Sequence, residues 1–250
     1  MVPPHPPQPG FGQQGAPPPG VPAQWQPPAG RPQALRSIGV ATQILLGVMI
    51  LVALGYLVSA FDQLTLLQRL TDDFNSVSYA EIDASDNAAL VVTLLFNACA
   101  LATGVVFIVW FYRVRKNAGV WSPATQRRSQ GWSIWGWICP IVNFGFPYQI
   151  AQDGLAVAKP FGSKPGDGLG TLRAWWVLWV ISVAFSFLER VQTRQAETIE
   201  QLVRSVQTDI ASTLFYLPAG VFAILVVRKI TLLQDQRINW EQARFPTSGN

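Results

Sequence analysis

From Ser37 to Phe61 the chain runs 25 residues without a charge. A helix rises 1.5 Å per residue, so about 20 apolar residues cross a hydrocarbon core. A run of this length predicts a spanning helix. It is too long for the core of a signal peptide. Arg31 and Arg36 precede it and Asp62 follows it, which predicts a cytoplasmic N-terminus. Three further uncharged runs read the same way: Asn87–Tyr112, Ala174–Leu188 and Ile210–Val227. The middle one holds only 15 residues, but Leu169 and Leu172 extend it and Arg173 can snorkel to the interface. The expected spans are about 37–61, 88–112, 170–188 and 210–227.

A fifth run, Ser129–Gln152, is broken by Pro140, Gly145 and Pro147. Proline inside a helix removes a backbone bond and clashes with the preceding turn. Backbone groups freed in this way cannot face lipid. Charge decides how the run is placed. With four spans, 14 basic residues fall inside and 4 outside; with five, the split is 10 against 8. The positive-inside rule favours four spans, both termini cytoplasmic, and residues 132–151 as a re-entrant or interfacial segment. In that arrangement the nine Trp residues from Trp110 onward lie on or near the cytoplasmic face, where Trp prefers the interface.

Composition agrees. Half of the residues are hydrophobic and 13% are charged, against about 25% in soluble domains. The net charge of +4 comes from basic residues flanking the spans, so nucleic acid is not an expected partner. Membrane lipids are, while Arg113, Arg115 and Lys116 read first as topology determinants and second as a site for anionic headgroups.

Residues 1–33 hold 12 Pro and 5 Gly and no acid. Such a chain cannot bury enough apolar surface to offset its conformational entropy and is expected to be disordered, with polyproline II runs that suit a protein partner. The domain plan is therefore a disordered Pro/Gly-rich cytoplasmic tail over 1–36, a membrane domain over 37–240 and a short cytoplasmic tail over 241–250. Neither Gly nor Pro occurs between Tyr56 and Thr103, or between Thr171 and Leu217, so both outer connections should be largely helical. The Asp/Asn/Ser-rich stretch Thr71–Asn87 supplies a turn.

The most specific motifs lie in the middle of the chain. Trp110–Ala118 reads WFYRVRKNA, Ser122-Pro123 precedes Gly131-Trp132, and Gly136–Leu155 reads GWICPIVNFGFPYQIAQDGL. Trp175-Trp176 and Trp179 follow, and VVRKITLLQ closes the last span. This order resembles the actinobacterial membrane family known as domain of unknown function 4328, over roughly residues 40–240. Members often carry a basic residue before Pro-Tyr-Gln, where this chain has Phe146. The resemblance implies a multi-span architecture and supplies no activity.

The candidate motif residues are Tyr112, Arg113, Arg115, Asn117, Trp132, Trp137, Pro140, Asn143, Pro147, Tyr148 and Gln149. Asn143, Tyr148 and Gln149 are polar groups in a proline-broken apolar segment. They can satisfy the carbonyls freed near Pro140 and Pro147, or touch a solute, since broken backbone at membrane depth lines cavities. Enzyme signatures are missing: there is no GxSxG, HExxH or phosphate-cradling loop, and the sole histidine is His5. Cys99 and Cys139 have no histidine partner or zinc spacing. No catalytic residue, cofactor or metal is expected. The expected class is an all-α, four-span plasma-membrane protein. Its expected role is that of a scaffold or interaction protein, with a small oligomeric transporter or channel using Asn143–Gln149 as the alternative.

Overall fold

The computed structural model describes residues 30–159 and 167–244. The disorder expected for the proline-rich segment therefore falls almost wholly outside the described residues. Six α-helices are present among them: α1 Arg36–Asp72, α2 Tyr79–Trp121, α3 Trp132–Ile138, α4 Phe146–Ala158, α5 Leu169–Gln195 and α6 Ile199–Arg244. Four of these, α1, α2, α5 and α6, are long and apolar enough to cross a membrane, with 37, 43, 27 and 46 residues. These are the four expected spans. The broken run becomes two helices of 7 and 13 residues separated by a turn through Pro140 and a short 3-10 helix at Val142–Phe144. Neither is long enough to span. Pro147 sits in the first turn of α4, where its missing N–H is not needed.

All four long helices overrun their apolar windows, as the lack of helix breakers predicts. The first connection is tighter than the polar stretch suggested. Only 73–78 turn, and Tyr79 already opens α2. Ser78 caps that helix: its hydroxyl accepts from Glu81 N at 3.2 Å while Glu81 Oε2 accepts from Ser78 N at 3.0 Å. At the other extreme, α6 continues to Arg244, four residues into the stretch read as the C-terminal tail.

The helices form an open arc in the order α2, α1, α6, α5. α6 packs along both α1 and α5, and α1 along α2, while α2 and α5 do not pack together. Close approach of α1 and α6 is set by Gly39, where a Cβ would stand 2.5 Å from Thr231 Oγ1. α4 fits between α2, α5 and α6 at one end of the arc, and α3 rests on α2 and α4. The hydrophobic core therefore concentrates at that end, around Leu35, Trp110, Phe111, Val114, Ile150, Leu172, Trp175 and Val227.

Candidate functional site

The last two turns of α2 carry the WFYRVRKNA run into this core. Helical spacing puts Trp110, Val114 and Asn117 on one face toward α6 and α4. Trp110 Nε1 donates to Thr231 Oγ1 at 3.0 Å. Asn117 is fully buried and ties three segments together. Its Oδ1 accepts from Gln33 N at 2.7 Å, and its Nδ2 donates to Gln33 O at 2.8 Å and to Gln234 Oε1 at 3.1 Å. Gln234, also fully buried, donates onward to Gly154 O at 3.3 Å and Val114 O at 3.4 Å. Asp235 Oδ1 accepts from Leu35 N at 2.8 Å. A buried amide in an apolar core needs all of its partners, and these two have them.

A second group gathers on the loop after α2. The buried Arg115 donates through Nε and Nη2 to Arg128 O, at 2.9 and 2.5 Å. Arg127 fixes α4: it donates to Asp153 Oδ1 at 2.9 Å, Gln149 O at 3.0 Å and Gln152 Oε1 at 2.9 Å. Arg128 donates to Gln149 Oε1 at 2.9 Å, and its guanidinium carbon lies 3.7 Å from the centroid of the Phe146 ring. Where the resemblance led one to expect a basic residue, Phe146 instead provides an aromatic face for a cation from the neighbouring loop. Trp132 meets Phe146 edge to face at 4.9 Å.

The third group is aromatic. Trp137 reaches from α3 to Phe107, Phe111, Trp176 and Trp179, with ring centroids 5.3, 5.6, 6.2 and 5.8 Å away. Tyr148 stacks near Trp176 at 5.8 Å. Such pairs add to area burial by about 0.5–1.5 kcal/mol each.

The candidate motif residues thus separate. Asn117 lies in the buried amide network. Arg115, Trp132 and Gln149 meet around Arg128. Trp137, Tyr148 and the buried Pro147 belong to the packing of α3 and α4. Tyr112 and Arg113 are half-buried, and Pro140 is exposed in its turn. Asn143 does not act as the expected staple. Its Oδ1 is buried without a hydrogen-bond partner, as is Trp137 Nε1. The backbone N of Asn143 donates to Cys139 O at 3.0 Å, and Gln149 N donates to Gly145 O at 3.1 Å.

The residues that sequence reasoning missed are Gln33, Arg127, Arg128, Gln234, Asp235 and Arg237. Arg237 stacks over Trp121 at 4.6 Å, pairs with Glu241 and donates to Val157 O. A signal was there for Gln234, the last residue of the VVRKITLLQ run and a polar group in line with an apolar helix face.

The family model described as "Domain of unknown function (DUF4328)" matches residues 73–232, well over half of the chain. The chain belongs to this family. No curated protein and no solved structure matches it. In this DUF4328 protein the matched region holds Asn117, the Arg115–Arg128–Gln149 group and the aromatic cluster. Gln33, Gln234 and Asp235 lie outside it, as does all of α1. Asn117 is therefore where the DUF4328 region grips the chain flanking it on both sides.

Proposed function

We propose that this DUF4328 protein is a non-enzymatic scaffold or interaction protein of the plasma membrane, with both termini cytoplasmic and its proline-rich segment recruiting a protein partner. One observation carries the reading. The base of the proline-rich segment is clamped to the bundle at Gln33 by both backbone bonds to the buried Asn117, and at Leu35 by Asp235. A rigid base held this deeply in the core presents a segment at a fixed place on the membrane surface. The segment 132–151 is read as interfacial, because Trp135, Ile138, Ile141 and Phe144 expose one apolar edge, with Ile141 90% exposed.

The transporter reading keeps one supporting observation, the unpartnered Asn143 Oδ1 and Trp137 Nε1 in the broken segment. It is the weaker of the two, because the polar groups it needs do not line up. Asn97 is exposed on α2 and its Nδ2 donates to Thr93 O of its own helix at 2.9 Å, while Gln149 is engaged by Arg128.

The test is capture of partners from native membranes with the full chain and with a chain lacking residues 1–33. The expected result is a partner set that depends on the segment, and identical sets would overturn the reading. Topology is checked in a background without Cys99 and Cys139. Ser76→Cys and Gln195→Cys should react with an impermeant thiol reagent outside intact cells, and Ser163→Cys, outside the described residues, should be protected.

A further inference from the structure

The gap between α2 and α5 contains a cavity of about 290 Å³. Its walls come from all four long helices: Leu46 of α1, Thr103, Gly104 and Phe107 of α2, Trp179 of α5 and Gly220 of α6 among them. Trp137 of α3 closes one end, with its ring 5.3 Å from Phe107 and 5.8 Å from Trp179. Across the gap only side chains meet, Phe107 and Trp175 at 6.0 Å, so the space opens sideways between two helices that do not pack together.

The chemistry of the walls says what fits. Nearly every group is aliphatic or aromatic. The Thr103 hydroxyl is directed at Leu45 O, 3.5 Å away, and the unpartnered Trp137 Nε1 and the Tyr216 hydroxyl are the few remaining polar groups. Water is poorly held by walls with so few partners, since an ordered water needs two to four. The lining residues of α2, Ala100 to Ile108, fall inside the apolar run Asn87–Tyr112, so the medium at this depth is hydrocarbon. Small residues shape a channel rather than a contact. A Cβ at Gly104 would meet nothing within 4 Å, whereas one at Gly220 would stand 3.0 Å from Ile50 Cγ1. Gly104 thus leaves open space on the side of the cleft that it lines.

We propose that this cleft is a binding site for one acyl chain of a membrane phospholipid, which enters sideways between α2 and α5 and ends against Trp137. The site is narrow and closed at its α3 end, so it accommodates a single linear chain. The aromatic rings of Phe107, Trp175 and Trp179 give that chain flat apolar walls.

The test uses the full chain in vesicles containing a phosphatidylcholine with a photoactivatable group near the end of one acyl chain. Labelled peptides are mapped after illumination. Labelling is expected to concentrate on residues 100–108 and 216–223. Gly104→Leu, whose Cβ meets no protein atom within 4 Å, adds bulk to the cleft wall and should lower that labelling at least five-fold. Gly55→Leu adds the same volume on an exposed part of α1, also with nothing within 4 Å of its Cβ, and should leave labelling unchanged. Ala100→Ile is the second blocking variant if Gly104→Leu does not fold, with melting in detergent as the check on folding. Labelling spread evenly over all exposed helix faces and indifferent to the blocking variants would overturn the proposal. So would a wild-type chain that excludes the lipid label from the cleft and cross-links there to a second copy of itself.

Discussion

The two ends of the four-helix arc are held together by different means. At the α3–α4 end, hydrogen bonds join residues 84, 117 and 200 positions apart in sequence. At the opposite end many of the bonds are local. Ser78 and Glu81 cap α2, Arg69 Nη2 donates to Ser76 O at 2.8 Å, and Gln201 N donates to Thr198 Oγ1 at 3.3 Å. The first end is joined by residues far apart in the chain; toward the second, neighbour bonds combine with a few between helices, Ser212 Oγ donating to Ser182 O at 3.0 Å and lying 2.7 Å from Ser186 Oγ. Because the local bonds are solvent-exposed, their loss should cost little. Because the long-range bonds are buried, removing one partner leaves others unpaired.

The largest expected effect is at Asn117. Asn117→Leu strands the backbone of Gln33 and Oε1 of Gln234, and buried unpaired groups cost about 1–3 kcal/mol each. The variant should melt several degrees earlier in detergent, and residues near Gln33 should become sensitive to protease. Unchanged melting would erase the contrast between the two ends.

Gly154→Val follows. A Cβ there would stand 2.6 Å from Val114 Cγ1, and Val114 is fully buried, so α4 must move off α2. Overpacking of this kind costs about 1–3 kcal/mol. A melting curve matching the wild type would show that α4 is loosely seated.

Ser78→Ala tests the local end. It removes one side of a capping box, and an N-cap is worth about 1 kcal/mol. Hydrogen exchange at the start of α2 should quicken while the α3–α4 end keeps its protection. Loss of protection at both ends would mean that they are coupled.

Asn143→Ala should change stability by less than about 0.5 kcal/mol, because its Oδ1 has no partner to lose. Early melting of this variant would restore Asn143 as a staple.

The smallest effect concerns Asp167, which pairs with Lys229 at 2.8 Å beside the start of α5. The Lys229 hydrogen bond holds its carboxyl below the ordinary carboxylate range. A depressed folded value means that the contribution is present above the unfolded pKa and is lost as pH falls through the folded one. The protection factor of the Leu172 amide, which donates to Gly168 O at 3.2 Å, should fall modestly on acidification below the ordinary carboxylate range. Asp167→Asn should remove that dependence. An acid response that persists in Asp167→Asn must come from another group.

The comparison also explains how far the site could be read in advance. Gln149 was visible because a polar side chain stood in an apolar segment, and Arg115 and Asn117 because they belong to the motif run that carries the resemblance. Their partners were not visible. Gln33 uses its backbone, which no residue identity announces. Arg127 and Arg128 looked like topology charges, and only the fold turns them onto Asp153, Gln149 and Phe146. Asn143 misled, since two nearby prolines suggested that its side chain would bond to the backbone, whereas its Oδ1 has no partner.

By itself the sequence determined the number of long apolar helices, their extension beyond the apolar runs and the break between α3 and α4. All of these follow from length, composition and near-neighbour chemistry, which act within one or two turns of chain. Only the tertiary structure decided that α2 and α5 stay apart, that Asn117 grips Gln33 and Gln234, and that Gly104 faces empty space while Gly154 faces Val114. Apolar helices in hydrocarbon have no solvent pattern to assign their faces, so which face meets which neighbour is settled by side-chain shape and by the few buried hydrogen bonds, and those exist only once the helices are assembled.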